Sequence, residues 1–365
     1  MSSQKHIKGR GAQSQIGNRF FELHHEERDD FKEYRFRARL NDVGQESEDL
    51  LPPKTIYIST FPKSIVNKVM SPDVGMEYSL NPYQGCEHGC VYCYARNSHE
   101  FWGYGAGLDF EQKILVKKNA VELLEKKFQS KSWIAAPIVM SGNTDCYQPL
   151  ERNLQLTRKL LMVFLKYKHP VGIITKNSLI TRDLDILKEL AADNLVKVIL
   201  SITSLSEETR RLLEPRTASI KRRLETIEKL SEAGIPVGVM IAPIIPGINS
   251  HEIIPLVKEV SKRGALQIGH TIVRLNGAIA SIFEDWIRKA MPDKADKVLH
   301  QIANCHGGQL NDSQYGRRMK GEGQIAAQIN RQFVIAKGKY GVDKKIPPLN
   351  CASFIKAKCG QLTIF

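Results

Sequence analysis

The sequence predicts an α/β fold built around a parallel sheet. Three observations carry that reading. From about residue 76 to residue 275, six short apolar segments alternate with amphipathic ones, the pattern of βαβ units. Within the longer segments apolar residues recur at helical spacing, as in "LERNLQLTRKLLMVFLKYK". The polar motifs suited to chemistry fall at the C-terminal ends of the apolar segments, where parallel α/β folds keep their sites. Six repeats fit a partial (β/α)6 barrel of TIM type or a doubly wound sheet.

Taken in order, residues 1–55 read as an extended, partly disordered arm, rich in charge and glycine and closed by "LPPK" at 51–54. The core is expected over 56–290. "MEYSL" (76–80) is a strand, and "QKILVKKNAVELLEKKF" (112–128) a helix. "APIVMSG" (136–142) is a short buried strand ending on glycine, and residues 150–168 are a helix. The strand "VGIITK" (171–176), the helix "LDILKELAADN" (184–194) and the strand "LVKVILSIT" (195–203) follow. "SIKRRLETIEKLSEAG" is a helix stopped by Gly234. "PVGVMIAPII" and "ALQIGHTIVRL" are the last strands, separated by the helix "SHEIIPLVKEVSKRG". Beyond these strands the chain reads as helical, and residues 291–365 form a helical and basic C-terminal extension.

No run of 18 apolar residues is present, so no membrane-spanning helix is expected. The polar start "MSSQKHIKGRGAQSQ" lacks an apolar signal core. A cytoplasmic location follows as an expectation. Thiols stay reduced there, so the seven cysteines point to metal ligation, reactivity or burial and not to a disulfide framework. The net charge of +14 suggests an anionic partner. It is uneven: from Tyr315 to Phe365 ten basic residues face two acidic ones, a net charge of +8.

"NPYQGCEHGCVYCYAR" (81–96) crowds Cys86, Cys90 and Cys93 into eight positions with no fourth cysteine nearby. A structural zinc site takes four ligands, usually as paired C-x2-C units. A [4Fe–4S] cluster takes one thiolate per iron. The spacing here is C-x3-C-x2-C, and Cys146, Cys305, Cys351 and Cys359 are scattered.

C-x3-C-x2-C with an aromatic residue, Tyr92, before the third cysteine, at the end of the first strand of a βα repeat, resembles the signature of the radical S-adenosylmethionine (SAM) superfamily. Residues 81–96 are similar to the branch that contains spore photoproduct lyase, and the resemblance spans roughly residues 76–290. It implies a partial (β/α)6 barrel. It also implies that Cys86, Cys90 and Cys93 hold a [4Fe–4S] cluster whose fourth iron binds SAM, with a reductant such as flavodoxin or ferredoxin supplying the electron. A fourth cysteine would occupy the position SAM needs. The reaction is lyase-like or a transfer and is left unassigned.

The resemblance extends to the other strand ends. In "SGNTDCYQPLER", Ser141, Gly142, Asn143, Thr144 and Asp145 match positions that meet the SAM amino group. Asp145 or Thr144 is equally suited to capping a helix. Lys176 and Ser201, ending the third and fourth strands, match groups that meet the SAM carboxylate. Arg216 in "EPRT" is a candidate for SAM or an anionic substrate, and Pro243 in "APIIPG" for the adenosine. Tyr92 and Tyr94 match a hydrogen-atom relay, or pack around the cluster. Cys146 is a candidate redox-active hydrogen donor, or else a buried structural thiol; it lies just after Asp145, whereas the family's thiol donor lies just before the aspartate, so dimer repair does not transfer.

The expected activity is reductive cleavage of SAM, acting on nucleic acid or on something bound to it. Two alternatives stand beside it: an iron–sulfur redox sensor that binds nucleic acid without turnover, and modification of a peptide or small molecule. The basic tail suits nucleic-acid binding. Residues 361–365, "QLTIF", resemble the pentapeptide by which bacterial replication and repair proteins dock on the sliding clamp.

Overall fold

The six expected strands form one continuous parallel array. The computed structural model describes residues 6–20, 55–342, 344 and 346–356. Its strands are β1 (Ile56–Thr60), β2 (Val66–Lys68), β3 (Tyr78–Leu80), β4 (Tyr83–Gln84), β5 (Lys113–Lys117), β6 (Ile138–Met140), β7 (Val171–Thr175), β8 (Val196–Ser201), β9 (Val237–Ile244) and β10 (Gln267–Ile272). The large sheet has the order β10-β9-β8-β7-β6-β3-β2. From β3 to β10 all pairs are parallel, and β2 is antiparallel to β3. Each parallel strand lies beside its predecessor with no reversal of order. A doubly wound sheet reverses at a switch point, so the array is of the barrel type. β10 and β3 are not paired, and the barrel is open.

The α-helices of seven or more residues are α1 (Ala120–Gln129), α2 (Leu156–Lys166), α3 (Leu184–Ala192), α4 (Glu207–Leu213), α5 (Ile220–Glu232), α6 (Ile253–Lys262), α7 (Ile279–Ala290), α8 (Ala295–Asn304) and α9 (Gly323–Tyr340). The main core lies between the sheet and the helices. Val196, Val198 and Leu200 of β8 alternate inward onto it and are fully buried, while Lys197 and Ile199 are only partly so. Phe128, Leu160, Phe164 and Leu187 cover the same core, and each large apolar side chain buried there contributes about 1.5–3 kcal/mol.

Two elements depart from the sequence reading. The helix expected over 112–128 is split: Lys113–Lys117 is β5, and α1 starts at Ala120. β5 joins β1 and β4 in a separate three-stranded sheet, so tertiary pairing overrides the helical pattern. The helix expected over 150–168 is interrupted at Gln155, whose φ of 51 is left-handed. The carboxylate of Glu151 accepts from Thr157 N (3.0 Å) and from the Tyr83 hydroxyl (2.5 Å), which holds the break.

The C-terminal extension supplies α8 and α9, and α9 packs on α6. Residues 344 and 346–355 then pass beneath the barrel. Lys344 N donates to Leu266 O, Asn350 N to Asn194 O and Ile355 N to Tyr167 O, positions that precede β10, β8 and β7. The extension therefore closes the end opposite the strand C-termini. Two charges of the basic tail are used internally, Arg317 on Asp312 and Glu322 and Arg318 on Asp73. Residues 361–365 and the charge run of the arm at 24–42 lie outside the described residues. Among the described residues no helix is long and apolar enough to cross a membrane.

Candidate active site

The cysteine loop leaves β4 and is pinned from three sides. Cys86 N donates to Phe110 O (2.8 Å), Val91 N to Leu213 O (3.1 Å), and Arg96 Nε to Cys90 O (3.0 Å). Arg96 is fully buried and forms an ion pair with Glu111 at 2.5 Å. Glu111 also accepts from Gly11 N (3.2 Å) and Ala12 N (2.8 Å). Residues 6–20 thus run against the cysteine loop, with Arg10 and Ala12 buried. The approach requires glycine: a Cβ on Gly11 would lie 1.8 Å from Gly89 O. Gly89 has a φ of +66, which favours glycine too.

Cys86 and Cys90 are buried and Cys93 is partly so. Burial pushes the Cys90 thiol well above its usual range, with Lys176 opposing, and raises Cys93 as well. Ala95 and Phe110 pack on Cys86 and exclude water. Among the described residues no three His, Cys, Asp or Glu side chains converge as a single bound ion requires. A cluster, by contrast, takes each thiolate on a different iron.

Asp145 joins this loop to two strand ends. Its carboxylate accepts from Thr175 Oγ1 (2.8 Å) and Lys176 N (2.7 Å) after β7, and from Tyr147 N (2.9 Å). His88 Nδ1 of the cysteine loop lies 3.3 Å from it. Burial works against both charges, yet their attraction holds His88 up at about 10 and Asp145 down at about 2. All these partners belong to the protein, so Asp145 organises the site.

Lys176 faces the thiols from the end of β7. Burial disfavours its charge, but Cys90, Glu214 and Cys93 outweigh that and raise its pKa. Its ammonium lies 6.0 Å from the centre of the Tyr92 ring. The Tyr92 hydroxyl donates to Glu214, which also accepts from Thr203 and pairs with Arg223 at 2.6 Å. Burial opposes the Glu214 charge, and Arg223 and Lys176 hold its carboxyl at about 2.

The other expected residues divide. Ser141 has a left-handed φ of 80, and its hydroxyl accepts from Cys146 N (2.9 Å). Gly142 O accepts from the hydroxyl of Tyr94, which is otherwise exposed. Asn143 N donates to Asn81 (2.8 Å), and the buried Thr144 hydroxyl donates to Gly85 O (2.7 Å). Ser201 is buried, and its carbonyl accepts from Arg223 (3.0 Å). Pro243 lies within β9, and its carbonyl accepts from Asn249 (3.0 Å). Arg216 N donates to His88 O (3.2 Å), and the residue lines a cavity outside the thiol cluster, with its guanidinium near the Thr55 hydroxyl (3.4 Å). Cys146 is fully buried in the main core, with Asp145 and Glu151 as its charged neighbours. Cys305 lies in the same core. Glu214 and Arg223 escaped the sequence reading. The one available signal was the acid of "EPRT", where only the arginine stood out.

The radical SAM superfamily model matches residues 80–260. An uncharacterized protein of Mycobacterium tuberculosis is 30% identical over 234 residues, which cover 63% of this chain and 69% of that one. The chain belongs to the radical SAM superfamily. A radical SAM Nalpha-GlyT isomerase of Pseudomonas phage M6 is 28% identical over 195 residues, 53% of this chain and 38% of that one. Among solved structures, spore photoproduct lyase complexed with dinucleoside spore photoproduct matches with a TM-score of 0.58 at 15% identity. That match covers 86% of this chain and 93% of the other, and it shows a shared fold. Radical SAM proteins use a [4Fe–4S] cluster and SAM, and these are the cofactors here. The donor set fits them. Three thiols are held in one rigid loop, and the raised pKa values of Cys90 and Cys93 mark a burial cost that iron ligation relieves.

Proposed function

We propose that this chain is a radical SAM enzyme that acts on a nucleic acid or on a substrate bound to one. The observation that carries the reading is the convergence of the three-thiol loop and the Lys176 ammonium at one rim of the sheet. Cys86, Cys90 and Cys93 would hold the cluster, and Lys176 would meet the SAM carboxylate. When bound and reduced, the cluster would supply the electron for reductive cleavage of SAM, the source of a 5′-deoxyadenosyl radical able to abstract hydrogen.

The chain's own residues prepare that chemistry. Ala95 and Phe110 keep the thiol loop dry. Asp145 fixes the backbone at Lys176 against the loop through His88. Glu214 holds Tyr92 by its hydroxyl and balances the Lys176 charge. Tyr94, Phe101 and Trp102 are exposed in and just after the cysteine loop, where aromatic faces suit base stacking. The net charge of +14 favours a polyanion, and one fold neighbour is described with a dinucleoside photoproduct bound.

The test is anaerobic reconstitution with iron and sulfide, reduction in the presence of SAM, and mass spectrometry for 5′-deoxyadenosine with and without oligonucleotide. Formation that needs all three cysteines and rises with oligonucleotide is expected. No 5′-deoxyadenosine under any condition overturns the enzyme reading. Formation that responds only to peptides or small molecules overturns the nucleic-acid reading.

A further inference from the structure

A cavity of about 450 Å³ lies behind the cysteine loop. Its walls come from the segments after β6, β7 and β8, so it opens at the same end of the barrel as the thiols. Asn177 and Arg216 form part of the wall, and both bond to His88 of the loop, at 3.3 and 3.2 Å. Arg152, Arg216 and Arg222 line it together with the hydroxyl residues Ser178 and Thr181, and none of the lining residues is acidic.

Most of the described arginines are spent on carboxylates, as in Arg96–Glu111, Arg223–Glu214 and Arg318–Asp73. A fourth arginine of the cavity, Arg182, is held by Glu151 and Asp183. Arg152 and Arg222 are exposed and form no side-chain bond within the described residues, and Arg216 bonds there only to the Thr55 hydroxyl at 3.4 Å. Three arginines without a carboxylate partner among the described residues therefore line one concave space. A second cavity of about 180 Å³ shares Ser178, Thr181 and Arg222 and adds Lys229 and Glu225. The two form a continuous cationic track.

We propose that this track binds phosphoryl groups spaced along one ligand. Guanidinium forks match phosphate oxygens bidentately, and hydroxyl and amide groups complete such sites. The concavity suits a phosphate chain better than a protein face, since docking surfaces are broad and the first cavity has the size of a small-ligand site. Two sources share this chemistry, the backbone of a nucleic-acid strand and a free polyphosphate nucleotide. The assignment goes beyond the catalytic reading and does not rest on it. It also moves anion binding away from residues 344 and 346–356, which lie at the opposite end of the barrel.

The experiment uses the full chain and no turnover. Fluorescence anisotropy with a labelled single-stranded oligonucleotide is measured across a salt series, with ATP and inorganic pyrophosphate as competitors. Arg152→Gln/Arg222→Gln is compared with Lys294→Gln/Lys297→Gln, which removes two exposed charges elsewhere. The cavity variant is expected to bind roughly tenfold or more weakly for each arginine lost. Its salt slope should fall by about 0.7 for each phosphate contact removed. Competition by pyrophosphate or ATP, lost in the cavity variant, assigns the track to a free polyphosphate. Competition by oligonucleotides alone assigns it to a strand. Equal binding by both variants overturns the proposal and leaves the deoxyadenosine assay unaffected.

Discussion

His88 and Asp145 form a buried ion pair at 3.3 Å that ties the cysteine loop to the ends of β6 and β7. The His88 side chain is 2% exposed and that of Asp145 10%, so each charge depends on the other. Asp145→Asn leaves His88 without its counter-charge and is expected to cost about 3–5 kcal/mol. Urea unfolding checks the value, and a loss under about 1 kcal/mol would show that the pair is dispensable.

The cysteines should separate into two classes. Ala at Cys86, Cys90 or Cys93 is expected to abolish iron and sulfide retention after reconstitution. Cys146→Ala and Cys305→Ala should retain both, because their thiols lie in the main core. Iron and sulfide analysis of the five variants decides it.

Lys176→Met is expected to keep the cluster and lose SAM affinity by roughly tenfold or more, the effect of one charge-assisted hydrogen bond. Equilibrium dialysis with labelled SAM measures this directly. Loss of the cluster together with SAM binding would mark Lys176 as a support for the loop instead.

Asp73 and Arg318 pair at 2.5 Å and join residues 71–73 to the segment before α9. The Arg318 hydrogen bond holds Asp73 down at about 2. A depressed carboxyl adds stability above its unfolded value near 3.8, and that stability is lost as pH falls through about 2. The difference in melting temperature between the wild type and Asp73→Asn should therefore shrink between about pH 4 and pH 2. A constant difference across that range contradicts the assignment.

Two glycines make a matched pair. Gly11→Ala would drive a methyl group into Gly89 O, so residues 6–20 should detach and become open to limited proteolysis. At Gly338, within α9, an added Cβ meets nothing within 4 Å. Gly338→Ala is expected to stabilise by roughly 0.5–1 kcal/mol. Thermal melting and protease mapping distinguish the two.

The six parallel strands were readable because each is a short apolar run bounded by polar residues or glycine. β5 was not, because "KILVK" runs into "NAVELLEKKF" without a break in apolar spacing, and only its pairing with β1 and β4 makes it a strand. The thiols were readable from spacing alone. Glu214 was not, because its partners Tyr92 and Arg223 come together only through the fold. The same holds for residues 6–20, whose burial depends on Glu111, about a hundred positions later. Arg152 and Arg222 look like ordinary surface charges until α5 and the turn after β6 bring them to one cavity.

That long reach from Gly11 to Glu111 sets an order of events at the ribosome. The N-terminal segment emerges first but has nothing to grip until Glu111 has been made. The thiols appear shortly before it. At about 5–20 residues per second, roughly 1–4 s separate Cys93 from Glu111 in the nascent chain. During that interval the loop stands open on the side that Gly11 and Ala12 later cover. Iron and sulfide delivered then would meet thiols whose loop is not yet pinned by that segment.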